Sequence, residues 1–436
     1  MVAAFYPAPS IAGGTAYFSI ELKDWDAPGD RTHSIALFGW CVSTTGSPIA
    51  IEFYLHGTLI ATAPLTVPRP DVVKALLTAE TPLLCGFHLR ISKLVLPPGA
   101  EIEIRLWESR GRPATARLTL GTIGGLPSAP VASRYHEQCH PLLLLGMGRS
   151  GTTFLMGLLG AHPEILVPGP HPYEMRQPVW LWQAAHVMTA PASTASITAD
   201  GFESHEAMRL GFNPYRNRSW EKVANEEEAM RWQEDTLPIA CIDFCKRQVD
   251  DFVSHFTKPD GAKPRYVAQK MMLSPMRYLV HAIYAQPREI FLVRDFRDVW
   301  LSARSFNRKR GVASFERNRF SDDLAWMRGL AFTSHQMRLA HEAAGSRAQI
   351  VHYEELVRGP QEALTRVFTV LGLDSSASQL HREIVRNMAQ STESMAHRTA
   401  VPDGTVARWR QEMTQEEKDI AADAFGDDLR YFGYEA

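Results

Sequence analysis

The stretch Pro141 to Ile165, PLLLLGMGRSGTTFLMGLLGAHPEI, constrains this chain more than any other. Leu142 to Leu145 is an unbroken aliphatic run, the pattern of a strand buried on both faces. It falls far short of the roughly 20 apolar residues that a membrane span requires. Gly146, Gly148 and Gly151 then let the backbone turn tightly before an apolar helix begins near Thr152. A strand, a glycine-rich turn and a helix in that order point successive amides at an anion. Ser150, Thr152 and Thr153 add hydroxyl donors. The nucleotide-hydrolase pattern GxxxxGK[ST] places lysine after its last glycine, whereas Thr152 follows Gly151 here. Arg149 supplies the positive charge instead, as a planar fork suited to phosphate or sulfonate. Taken alone, such a loop is a modest signal, with a turn that holds no ligand as the lesser reading.

The segments after the loop alternate between apolar runs and helical periods. Runs at Arg265–Ala268, Ile290–Val293 and Gln349–His352 read as further parallel strands. Helices are expected over Thr152–Gly160, Asp298–Phe306, Asp323–Ala343, Gln361–Leu371 and Gln415–Phe425, the last opened by the capping box Thr414/Glu417. The expected fold class is α/β, a doubly wound parallel sheet with the anion loop where strands hand over to helices. Before it, Ile49, Ile51, Phe53 and Leu55, then Ile102, Ile104 and Leu106, alternate with polar neighbours. Short alternating strands between Gly and Pro turns predict a smaller all-β sandwich. The Gly/Pro/Ser-rich stretch up to His140 has no hydrophobic period and reads as a linker. The division is therefore 1–122 sandwich, 123–140 linker and 141–436 α/β domain, as expected of a chain too long for one core.

Bulk composition narrows the function. Forty-six Lys and Arg against 48 Asp and Glu leave a net charge of -2, which supplies no field to attract nucleic acid. The five cysteines, Cys41, Cys85, Cys139, Cys241 and Cys245, are scattered. The Cys241/Cys245 pair reads as two buried thiols, with a redox or metal role as the alternative. No metal-binding spacing is found, and no metal is expected. The N-terminus MVAAFYPAPS lacks the layout of a signal peptide, so a cytoplasmic location is expected.

A second motif, REIFLVRDFRDVWLSARSFN, ends a strand on Arg294 and carries Ser302 eight residues on, in the following helix. Two helical turns at about 1.5 Å per residue bring that serine alongside the arginine at one anion. With both motifs in view, the chain resembles the sulfotransferases that use 3'-phosphoadenosine 5'-phosphosulfate (PAPS). GRSGTTFL is similar to that family's 5'-phosphosulfate loop and FLVRDFRDVWLSARS to its 3'-phosphate motif. AHPEI, AQKMML, VHYEELVRGPQEALTRVFTVLGL and VARWRQEMTQEE extend the resemblance over Pro141 to Glu435. Arg149 stands where the family has a loop lysine.

The resemblance implies PAPS as sulfuryl donor, bound by Arg149, Ser150, Gly151, Thr152, Thr153, Arg294 and Ser302. Arg398 and Arg408, in HRTAVPDGTVARWR, resemble the donors of a late loop that closes over the nucleotide. Lys270 matches a family lysine, as a catalytic charge or as a salt bridge. Glu174, in PGPHPYEMRQ, resembles the family's general base, and His171 is the second candidate. His162 is read as packing near the helix end. Most of Arg297, Arg304, Arg308, Lys309 and Arg310 reads as a solvated helix face. Trp180, Trp182, Trp220 and Trp232, with Arg209, Arg216 and Arg218, lie in the insert expected to face the acceptor. A glycan or glycolipid hydroxyl is the favoured acceptor, in keeping with a sandwich that looks loosely like accessory domains of bacterial glycan-modifying enzymes. The rival readings are a P-loop nucleotide kinase or NTPase, and a noncatalytic glycan-binding protein with a decayed transferase domain.

Overall fold

The computed structural model describes residues 4–7, 16–23, 34–44, 46–76, 82–97, 99–109, 115–124, 133–189, 228, 232, 236–256, 261, 263–271, 273, 276–374 and 402–435. Arg398, Trp220, Arg209, Arg216 and Arg218 lie outside them. The chain divides into two compact units that alternate along the sequence. One takes Met1–His136, Leu181–Arg247 and Pro275–Ile283; the other takes Glu137–Trp180, Gln248–Ser274 and Tyr284–Ala436.

Among the described residues the first unit holds β1 (Ala4–Pro7), β2 (Ala16–Lys23), β3 (Ser34–Ser43), β4 (Ser47–Leu55), β5 (Thr58–Pro64), β6 (Val67–Pro68), β7 (Leu84–Ser92), β8 (Ile102–Ser109) and β9 (Thr115–Gly124). They form two antiparallel sheets, in the orders β1-β9-β8-β4-β5 and β2-β3-β7-β6. Alternation turns Ile51, Phe53 and Leu55 of one sheet and Leu37, Phe87 and Leu89 of the other into one buried cluster, so the two sheets face each other as a sandwich. Phe53 and Phe87 meet across it at 6.2 Å. β9 runs on through Gly124, into the stretch read as linker. The helix Met276–Ile283 also belongs to this unit and sends Tyr278 into the same cluster. Tyr278 shares a 2.8 Å hydrogen bond with His56 Nδ1, in the β4–β5 turn.

The second unit holds β10 (His140–Leu145), β11 (Ile165–Leu166), β12 (Tyr266–Met271), β13 (Arg288–Val293) and β14 (Ala348–His352), in the order β11-β12-β10-β13-β14. Every pair is parallel, and the aliphatic run of β10 is buried on both faces. All four apolar runs of the second half are therefore strands, and β11 is too short to have given a pattern. The helices Thr152–Leu159, Phe296–Arg310, Asp323–Ala344, Pro360–Val370 and Gln415–Tyr431 match the expected ones with shifted ends. Thr414 and Glu417 form the reciprocal capping box. Chain order reverses at β10, with β12 on one side and β13 on the other. That reversal opens a crevice at the carboxyl ends of these three strands.

The five cysteines are buried and free. Among the described residues no group of three His, Cys, Asp or Glu is placed to hold a metal, and no helix is long and apolar enough to cross a membrane.

Candidate active site

Three segments line the crevice: the glycine-rich loop after β10, the carboxyl end of β12, and the turn from β13 into its helix. Beyond β10 the loop turns through Arg149 at φ 73° and Gly151 at φ 101°. Gly151 is needed twice over: its φ is strained for any side chain, and a Cβ there would stand 2.5 Å from the Tyr353 ring. The helix Thr152–Leu159 comes next without a side-chain cap, so its first amides face the loop. The Ser150 hydroxyl is 1% exposed and has no hydrogen-bond partner. A buried, unanswered donor inside a glycine turn is the arrangement an anion would complete.

β13 ends one residue before Arg294. Two backbone carbonyls fix its guanidinium: Nη1 donates to Arg149 O at 3.0 Å and Nη2 to Thr405 O at 2.7 Å. Its plane lies 4.6 Å from the Tyr353 ring centre, and the Tyr353 hydroxyl bonds Thr405 Oγ1 at 3.0 Å. Nε of this 4% exposed side chain has no partner. Ser302 lies two turns along the next helix, as its spacing predicts, and accepts a 3.4 Å hydrogen bond from Arg149 Nε. The two sequence motifs thus meet, through Arg149. Burial and the like charge of Arg294 both push the Arg149 pKa down, a setting that an anion would relieve.

On the other side, Lys270 sits on β12 beside Leu144 of β10. Its ammonium donates to Thr153 Oγ1 at 2.8 Å, Pro172 O at 2.6 Å and Glu174 Oε1 at 2.9 Å. Arg176 holds the other Glu174 oxygen at 2.9 Å. Burial lowers the Lys270 pKa, and the bond to Glu174 only partly offsets it. For Glu174, burial pulls upward but is outweighed by the bonds from Lys270 and Arg176, so its pKa is lowered. His171 is close in sequence; its Nε2 is buried without a partner and its ring packs 5.8 Å from that of Tyr173.

Arg408 turns to Glu412 at 2.7 Å and reaches Ser305 Oγ at 3.4 Å, leaving Nη1 buried and unpartnered. His162 is structural: Nδ1 accepts from the Glu164 amide at 3.1 Å, so Nε2 donates to Asp374 O at 3.0 Å. Of the basic run, Arg297 clamps Asp295 through two bonds and Arg304 pairs with Glu417. Sequence reasoning missed Asp298, which is fully buried and accepts the Trp409 amide at 2.9 Å. Burial raises its pKa to about 6. An acidic residue directly before the apolar run VWL in the helix's first turn was the signal available.

A parallel sheet with a glycine-rich loop at its reversal point and a second guanidinium beside it defines a doubly wound α/β protein. The profile of the Sulfotransferase family matches residues 141–377. The chain belongs to that family. It is 25% identical over 311 residues to the nodulation protein NoeE of Sinorhizobium fredii, covering 67% of this chain and 65% of that protein. It is 24% identical over 257 residues to protein-tyrosine sulfotransferase 2 of Gallus gallus, covering 58% and 56%. The chain therefore spans less than two thirds of either relative. Among solved structures, a sulfotransferase domain from the curacin biosynthetic pathway shares 14% identity at a TM-score of 0.36, covering 66% of this chain and 98% of that one. A mouse sulfotransferase complexed with PAP shares 14% at 0.37, covering 67% and 85%. Similarity at that level transfers nothing about ligands.

Proposed function

We propose that the chain transfers the sulfuryl group of PAPS to a hydroxyl of a carbohydrate or glycolipid. The observation that carries this reading is the meeting of Arg149, Ser302 and Arg294, with the Ser150 hydroxyl and Arg294 Nε left unanswered. An isolated 3'-phosphate suits Arg294 and Ser302. A phosphosulfate suits the loop amides, Ser150 and Arg149. A kinase is disfavoured because threonine occupies the position of the phosphate-binding lysine. No metal is invoked.

Transfer needs an acceptor oxygen in line with the sulfur and donors around the spreading charge. Glu174 accepts the hydroxyl proton as the new oxygen–sulfur bond forms and the bond from sulfur to the bridging phosphate oxygen breaks. Lys270 spans Glu174 and Thr153, so one cation serves both base and loop. It counters the charge left on the bridging oxygen. Once Glu174 is protonated its hold on the ammonium weakens, which frees Lys270 for that role. A carbohydrate acceptor is favoured by Trp180, which leaves 57% of its surface exposed a few residues from Glu174 and offers a face for a sugar ring. Incubation with radiolabelled PAPS and a panel of glycans, glycolipids and phenols tests the reading. Labelled glycan or glycolipid is expected. Label on tyrosyl peptides alone would move the acceptor class, and ATP turnover without PAPS binding would overturn the assignment.

A further inference from the structure

Two successive residues other than glycine, Phe315 and Glu316, hold φ at 57° and 62°. That region strains any side-chain-bearing residue and persists only where its surroundings over-determine it. They do so here. Asn307 brackets Ser314, donating from Nδ2 to its carbonyl at 3.0 Å and accepting its amide at 3.1 Å. The Trp326 indole donates to the Phe315 carbonyl at 2.8 Å.

The strained turn delivers the Phe315 ring onto the anion loop. A Cβ on Gly148 would stand 2.7 Å from that ring, so a side chain there would push Phe315 aside. Phe315 meets Phe306 edge-on at 5.5 Å, and the Arg149 guanidinium lies 5.0 Å from the Phe306 ring centre. Arg310 lies 5.4 Å from the same ring. Both phenylalanines keep part of their surface exposed.

We infer that Phe306 and Phe315 are positioning residues, an aromatic clamp that orients the Arg149 guanidinium toward the anion held by the loop. The clamp deepens the proposed function and rests on it. A planar guanidinium can lie on a ring and keep its donor edge free, whereas an ammonium on a flexible stem has no plane to fix. The clamp explains how arginine serves where the resembling enzymes carry lysine.

Replacing Phe306 by mono-, di- and trifluorophenylalanine changes the charge on the ring face while nearly preserving its shape, so folding is retained. The log of kcat/KM for PAPS is expected to fall stepwise along the series, by about tenfold in all. A flat series overturns the clamp, since a merely packing role would not follow ring charge. In an Arg310→Ala background the slope is expected to persist; its disappearance would show that Phe306 acts through Arg310 and would equally overturn the inference. Adenosine 3',5'-bisphosphate binding by the unaltered protein is measured alongside. If that ligand fails to bind and PAPS is not turned over, the sulfotransferase reading falls, a result distinct from a flat series in an active enzyme.

Discussion

On the β13 side of the loop, Arg149 and Arg294 lie together in a buried setting, with Arg294 Nε and Ser150 Oγ lacking partners. On the β12 side, the Lys270 ammonium is fully engaged by a hydroxyl, a carbonyl and the half-exposed Glu174. The first side keeps like charges close, a repulsion that an arriving anion would relieve. The second shares one carboxylate, Glu174, between Lys270 and Arg176 and sits nearer to water. Under the proposed function, the first flank holds the donor and the second moves the proton.

The contrast can be broken at several points. The largest effect is expected for Glu174→Gln, which should lower kcat about a thousandfold while calorimetry gives an unchanged affinity for adenosine 3',5'-bisphosphate. Full activity would remove Glu174 as the base. Arg294→Ala should do the reverse, weakening that affinity about a hundredfold; an unchanged Kd would contradict the second anion pocket. Gly151→Ala forces a left-handed φ on alanine and drives its Cβ toward Tyr353, so KM for PAPS should rise about tenfold. A KM equal to that of the unaltered enzyme would mean that the loop is not the donor site.

The smaller effects concern protons. With the Glu174 pKa held below its usual 4.5 and the Lys270 pKa below 10.5, kcat should stay level from neutrality into mild acid. Its acid limb should lie below 4.5 and its alkaline limb below 10.5. An acid limb near neutrality would remove Glu174 as the titrating base. Asp298 behaves oppositely: its folded pKa of about 6 stands above the usual 3.8. Its contribution to stability is full below 3.8 and is lost as pH rises through about 6, on the order of 2 kcal/mol. Asp298→Asn keeps an acceptor for the Trp409 amide without the charge. Its melting temperature should exceed that of the unaltered protein by a few degrees at neutral pH, and the gap should close near pH 4. A gap independent of pH would remove Asp298 from that balance.

Much of this was legible in the sequence because backbone rules leave marks in composition. The β10 run, the glycines of the loop, the Thr414/Glu417 cap and the eight-residue step from Arg294 to Ser302 each arise from a local period or a steric need. Phe315 and Glu316 left no mark, since nothing in their types announces a positive φ; contacts with Asn307, Ser314 and Trp326 impose it. Asp298 showed only as an acidic residue in the helix's first turn, and its partner lies 111 residues away. The Lys270–Glu174 bond was equally hidden, joining residues 96 apart through the fold alone.

Tyr278 carries a consequence for anyone wishing to cut this protein in two. The helix that bears it lies deep in the family-matching sequence, yet its ring is buried with the sandwich residues and its hydroxyl is bonded to His56. A fragment starting at the anion strand would leave that ring uncovered, and the sandwich expressed alone would lack a piece of its own interior. Gene fusion or shuffling at the glycine- and proline-rich boundary would meet the same obstacle, so the two halves of the sequence are expected to be inherited together.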